Sequence, residues 1–396
     1  SNEVHIKSIS CKLISNNAGI IEGATTTTSV YGGHAPVLPR AVDVAREGEA
    51  EAIGDGSALF SGTNEYIKLD ESKLGMSSSN PFSITAWIKP DVVNANQVVV
   101  AFGSDAGSSY AGKRTAMFIN SSAVATLAFW GNDVSGGTIS ANVWTHLAMT
   151  FAGGNRTSAN SAIYINGISQ SLSGGTASAL DLSDMDFAHI GVDESVGQDY
   201  DGEIAQVGIW QGALTQAQVQ SVMEATSYAK IPASVKSTTT EKLPSPDLTS
   251  SSGLAFTQGS TGTLSIDTSA GTIIATDDVQ DGYMTWSGAG LSNGTLYKLE
   301  IVVDSYTGGR FRTTSGWGNG TSFYPSVGTN TQYFLGNATS AFAIQIDDGA
   351  PAEFVVLRIS VKEVTNDLVG YWGLDATFAT SFVQVETTGE TLGSNV

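Results

Sequence analysis

Phe82, Ile84, Ala86 and Ile88 alternate with Ser83, Thr85 and Trp87 until Pro90 and Asp91 break the run. A period of two sends successive side chains to opposite faces, so the spacing predicts a β-strand with one face in a core. Leu147, Met149 and Phe151 repeat the pattern, as do Ile163 and Ile165. The Asn166-Gly167 pair that follows is what a type I′ hairpin turn prefers. A helical period shows in one short place. Thr215 with Gln218 three residues on makes a capping box, and Val219, Val222 and Met223 supply the apolar side. A second strand-dense stretch runs from Leu254 to about Val364, legible at 264–266, 272–275, 297–303, 342–346 and 354–361.

Between Lys230 and Ser252 the apolar period lapses into Pro232, Pro244, Pro246 and a Ser/Thr-rich tract, the composition of a linker. The first residues combine a short apolar piece, the run Thr25 to Thr28 and a Pro-containing piece at 35–39, which read as an extended connector. The pattern predicts an all-β fold with two β-sandwich domains. Residues 1–55 form the connector, 56–228 the first sandwich closed by the one short helix, 229–250 the linker and 251–365 the second sandwich. Residues 366–396 are a C-terminal strand or the start of a further repeat. Leu368, Val369, Tyr371, Trp372 and Leu374 are nearly continuous and apolar. As a free tail they would expose aromatic surface and unpaired backbone, so a partner outside the second sandwich is expected, another copy or the rest of a longer chain.

Composition narrows the function. A length of 396 residues suits two cores, and 45 glycines with only 14% charged residues suit short strands and many turns. With 18 basic against 38 acidic residues the net charge is -20, a field that repels phosphate backbones and anionic lipid and argues against nucleic acid as a partner. The simplest role of that charge is colloidal solubility. No apolar run has membrane length, so membrane insertion is not expected. The single cysteine, Cys11, forms no internal disulfide, which leaves packing and a bound hard cation as sources of stability.

Ala58-Leu59-Phe60-Ser61-Gly62, Tyr66-Ile67, the run Phe82 to Ile88, Trp144-Thr145-His146-Leu147, Ile163-Tyr164-Ile165-Asn166-Gly167 and Asp201-Gly202-Glu203-Ile204 occur in the order of a laminin-G-like domain, with Leu214-Thr215 and the helix completing it. This stretch resembles that family, the concanavalin A-type lectin jelly rolls. The second module, ending in the strand 354–364, resembles the carbohydrate-binding jelly rolls that sit beside such domains in marine phage and bacterial surface proteins. The whole chain, with Ile21 to Thr25 near its start, resembles segments of large phage virion proteins. The resemblance implies a virion surface or extracellular location, with other virion subunits, copies of itself, or a host-surface glycan or protein as partners. It places Trp144 inside the core, a sugar-stacking role being the alternative.

Jelly rolls of this kind also hold calcium in edge loops. Asp184, Asp186, Asp193, Glu194, Asp199 and Asp201 surround the segment His189-Ile190-Gly191, and calcium takes six to eight oxygens of this sort. The competing explanation is that a chain so acidic carries carboxylates in many loops. In the second module Trp286, Tyr306, Trp317, Phe323 and Tyr324 lie in loops rich in Gly, Ser, Thr and Asn or near strand ends. Aromatic faces beside amides and hydroxyls suit sugar recognition. For Trp286 a place in the core competes with that role; Trp317, between two glycines, is the first candidate for ligand contact. Glycoside hydrolases share the fold and need two carboxylates facing one sugar. Glu300 and Asp304 have the best spacing but lack a third carboxylate, and no histidine or serine forms a catalytic set, so the chain is expected not to be an enzyme. A virion fibre, decoration or tail-associated protein presenting lectin-like sandwiches is the leading reading. A secreted bacterial adhesin, or the carbohydrate-binding region of a larger surface protein, is the second.

Overall fold

The computed structural model describes residues 20–22, 25–28, 56–63, 65–105, 111–193, 198–313, 322–337, 339–347 and 352–374. It is all-β apart from short helices, and it divides into two compact units, one of residues 1–237 with 366–396 and one of residues 238–365. In sequence, therefore, the second unit is an insertion into the first.

Unit 1 is a sandwich of two antiparallel sheets. In one sheet the strands Tyr66–Lys68, Phe187–Ile190, Gln97–Gly103, Arg114–Ile119, Val124–Ala128 and Val134–Thr138 follow in spatial order. In the other, Ser161–Ile165, Thr145–Phe151, Phe82–Pro90 and Asp201–Gln211 lie side by side. The alternation explains the register. Ile84 faces Met149 and Ile209, and Ala86 faces Leu147, so the apolar positions of adjacent strands share one face. The rings of Phe82, Phe102, Phe151 and Phe129 meet between the sheets at 5.5–5.6 Å. Each buried ring contributes roughly 1.5–3 kcal/mol of hydrophobic stabilisation. Asn166 and Gly167 have positive φ, 50° and 75°, as the type I′ turn requires.

The opposite face of the second sheet is covered by the helix Gln216–Met223, which starts with the capping box of Thr215 and Gln218. Val219 and Val222 pack with Trp210, Ile231, Val235 and Leu368. The stretch expected to be a linker is therefore structured. Ile231 and Val235 belong to the packing of unit 1, and Trp210 Nε1 donates to the Val235 carbonyl at 3.0 Å. Leu243 and Leu248 lie in the core of unit 2. The prolines that suggested a linker break apolar periodicity without preventing burial of the residues between them.

The free edge of Asp201–Gln211 is completed in two halves. Residues 201–204 pair with Gly56–Ser61, which in turn pairs with Thr25–Thr28, so the threonine run extends a sheet. Residues 207–211 pair with residues 367–372 of the long strand Ala352–Trp372. The apolar C-terminal run thus finds its partner within the same chain, and its demand for a second copy falls away. Asn366 is fully buried, donating to the carbonyls of Ser234 and Val235 and accepting from Gln218.

Unit 2 is also two-layered. One sheet orders Gly328–Leu335, Leu296–Tyr306, residues 354–363 of Ala352–Trp372, Thr272–Gln280 and Thr261–Asp267. The other orders Leu254–Thr257, Tyr283–Leu291, Thr339–Asp347, Arg310–Thr313 and Ser322–Phe323. Trp286, Phe342, Phe334 and Tyr297 form a chain of ring contacts in the core at 5.7–6.0 Å.

Candidate functional site

The strands of unit 2 bring several predicted aromatics to one end. Tyr306 closes Leu296–Tyr306 opposite Phe354 in the register, and its hydroxyl donates to the Gly309 carbonyl. Burial, with the neighbouring Tyr324 adding to it, pushes the Tyr306 phenol above its usual range. Phe354 packs on Phe311 at 5.0 Å, and Phe311 on Phe323 at 5.9 Å. Thr307 and Glu353 tie the adjoining turn to the start of Ala352–Trp372. The Thr307 amide donates to the Glu353 carbonyl and the Glu353 amide to the Thr307 hydroxyl, both at 3.0 Å.

Residues 323–327 leave this wall with Pro325 turned inward between exposed neighbours. Phe323 packs against the core and Pro325 is buried, while Tyr324 is 73% exposed and Val327 66%. Leu357, in the bulge of the strand opposite Val302 and Val303, is 40% exposed. Of the six large apolar side chains exposed among the described residues, these three lie in unit 2, near the end of the strand that carries Tyr306. Exposed aromatic surface on a supported loop is suited to a ligand that has an apolar face.

Two predicted contacts fall elsewhere. Trp286 is 1% exposed and belongs to the core, because its position opposite Leu254 and Phe342 in the register points it between the sheets. It is removed from the candidate ligand set. Trp317 lies outside the described residues. Sequence reasoning missed Val327 and Leu357, whose residue types favour the core and whose exposure follows from a loop and a bulge.

The acidic loop of unit 1 is dispersed. Asp193 is buried and pairs with Arg114, whose Nη1 lies 3.2 and 3.3 Å from its two carboxylate oxygens. Arg114 also stacks over Trp130 at 4.4 Å. Asp186 accepts from the Asp105 amide at 2.7 Å, Asp184 is exposed, and Asp199 is half-buried. Asp201 is held above the usual carboxylate range by burial and by Asp91 and Glu65. Glu194 lies outside the described residues. No group of three or more candidate metal ligands forms among the described residues. Asp193 does not fit as a calcium ligand, because a cation there would have to displace Arg114. Nothing in the sequence spacing indicated that ion pair.

His146, His189 and Glu300 are engaged by their packed or charged neighbours. His146 packs edge-on against Trp87 at 5.2 Å, and burial lowers it to about 3. His189 lies 4.7 Å from the Tyr66 ring, and burial together with Lys68 lowers it to about 4. Glu300 is bonded to Lys362 at 2.6 Å with Lys298 at 3.5 Å. Burial alone would raise its carboxyl, but the Lys362 hydrogen bond and the charges of Lys298, Lys362 and Arg358 outweigh it and leave it low. A carboxyl kept ionised in this way is a poor general acid.

Residues 61–220 match the family model described as the concanavalin A-like lectin/glucanases superfamily, Laminin_G_3, so this stretch is a lectin-like domain. No curated protein matches the sequence. Among solved structures the chain is similar to domain 4 of AbnA, an extracellular arabinanase of Geobacillus stearothermophilus, in complex with arabinotriose. The identity is 17%, covering 52% of this chain and 99% of that one with a TM-score of 0.31. The Ruminococcus gnavus IT-sialidase CBM40 bound to alpha2,3 sialyllactose is 14% identical, with 37% and 83% covered and a TM-score of 0.30. A putative carbohydrate binding protein of Bacteroides ovatus is 16% identical, with 52% and 46% covered and a TM-score of 0.29.

Proposed function

We propose that this chain, which carries a lectin-like domain over residues 61–220, is a non-catalytic glycan-binding protein of an extracellular surface, and that unit 2 takes the apolar face of a sugar ring on Tyr324. The observation that carries the site is the exposure of Tyr324 and Val327 on a loop anchored between by buried Pro325. A pyranose offers C–H groups on one face, which suit the face of an exposed aromatic ring such as Tyr324. The engagement of Glu300 by two lysines favours binding over hydrolysis. No helix among the described residues is long and apolar enough to cross a membrane.

Retention of the full chain on immobilised oligosaccharides, compared with Tyr324→Ala, tests the site. Loss of one stacked ring is expected to weaken binding about tenfold or more, roughly 1.4 kcal/mol. Equal retention of both proteins would remove Tyr324 from the site. Retention of neither, with capture of a host protein instead, would replace the glycan by a protein partner. The sequence resemblance to phage proteins supports a virion setting, and mass spectrometry of purified particles tests that setting against a secreted adhesin.

A further inference from the structure

We infer that Asn330 is a positioning residue that fixes the Tyr324–Val327 loop in its binding conformation; this rests on the glycan-binding reading of that loop. Asn330 lies in the edge strand Gly328–Leu335, opposite Ile301 on the core-facing side of the register. An apolar residue there would extend the core. The amide instead grips the loop that precedes it. Its Oδ1 accepts from the Ser326 backbone amide at 2.9 Å, and its Nδ2 donates to the carbonyls of Ser326 at 2.7 Å and Gly328 at 3.2 Å. One side chain thus satisfies the amide and the carbonyl of Ser326, in a turn that the strand ladder does not reach, and bonds the carbonyl of Gly328 where the strand begins, as a half-buried amide is suited to do.

Each neighbouring feature acts in the same direction. Gly328 has φ of 104°, a conformation open to glycine, which turns the chain back under the Asn330 amide. Pro325 fixes its own φ and holds Tyr324 away from helical geometry. The loop that presents two exposed apolar side chains is therefore braced at Pro325, Ser326 and Gly328. A loop ordered before binding loses less conformational entropy when ligand arrives, so the brace should act on affinity more than on folding.

The test compares the full chain with Asn330→Ala, Asn330→Asp and Ser326→Ala. Amide exchange at Ser326 is measured by NMR, and binding is measured on immobilised neutral oligosaccharides of glucose, galactose, mannose and arabinose. Asn330→Ala is expected to speed Ser326 exchange at least tenfold and to weaken binding about tenfold through faster dissociation, with unit 2 still folded by circular dichroism. Asn330→Asp keeps the acceptor for the Ser326 amide but cannot donate, so it should protect that amide and recover part of the affinity. Ser326→Ala loses only the hydroxyl contact to Asn330 Oδ1 at 3.4 Å and keeps the backbone bonds, so the amide at position 326 should exchange as in the parent chain. Faster exchange in Asn330→Ala with unchanged binding overturns the positioning role. If the parent chain binds none of the sugars, the glycan reading fails, and equal Ser326 exchange in the parent chain and Asn330→Ala then overturns the brace as well. If Asn330→Ala does not fold, Asn330→Asp decides: binding and exchange both equal to the parent's, without the donated bonds, count against the brace.

Discussion

Unit 1 should depend on a strand that the chain supplies only after the whole of unit 2. Trp372 is the sharpest probe of this. It is 3% exposed, pairs with Val207 in the register, and lies across Gly370 so closely that a Cβ there would stand 2.1 Å from its Cη2. Trp372→Ala removes this ring from a site that cannot collapse onto a rigid strand, and such truncations cost about 3–5 kcal/mol. At roughly 2–4 °C per kcal/mol for a unit of this size, its melting temperature should fall by about 6–20 °C. Ending the chain after Thr365 should cost more, because it also removes Asn366 from the Ser234 and Val235 carbonyls and strips the partner from residues 207–211. Differential scanning calorimetry reads the loss, and hydrogen exchange locates it. Exchange should rise at 206–211 and in Gln216–Met223, and remain low at 354–361. Phe354→Ala, in the same strand but inside the core of unit 2, should give the reverse pattern. Unchanged melting and exchange of unit 1 in both Trp372→Ala and the shortened chain would show that residues 366–374 do not complete its sheet.

Three further outcomes concern buried titratable groups. His146 is lowered to about 3 in the folded chain against 6.5 when free, so the unfolded chain protonates first. Its contribution is complete above pH 6.5 and is lost as pH falls toward 3, amounting to about 2 kcal/mol by pH 5. Urea melts of His146→Phe should therefore show a flatter acid limb than the parent chain; identical limbs would count against burial of a neutral imidazole. Removing either partner of the buried Arg114–Asp193 pair should cost about 3–5 kcal/mol, and Arg114→Met with Asp193→Leu together less than the sum. In the parent chain EDTA at matched ionic strength should leave the melting temperature of unit 1 unchanged; a drop abolished by Asp193→Ala would restore a cation to this loop.

Local order was legible in the chain because it depends on near neighbours. The alternation from Phe82 to Ile88 decides which side chains face the core whatever strand lies alongside, and Asn166-Gly167 and Thr215 with Gln218 carry the geometry of their turn and cap within a few residues. The concentration of aromatics toward Tyr306 and Tyr324 could be read from their loop surroundings for the same reason. Partner choice could not. The apolar run Leu368 to Leu374 signals a strand in need of a neighbour, but a period of two says nothing about which strand provides it, and only the assembled sheet assigns it to residues 207–211. Burial of isolated residues was likewise a tertiary decision. Trp286 and Tyr324 both sit among small polar neighbours in sequence, yet pairing with Leu254 and Phe342 turns one inward, while the buried Pro325 and the Asn330 amide hold the other's loop at the surface. Asp193 shows the limit most directly: as one of six acidic residues in a loop it suggested a cation, and the cation that meets it is Arg114, 79 positions away along the chain.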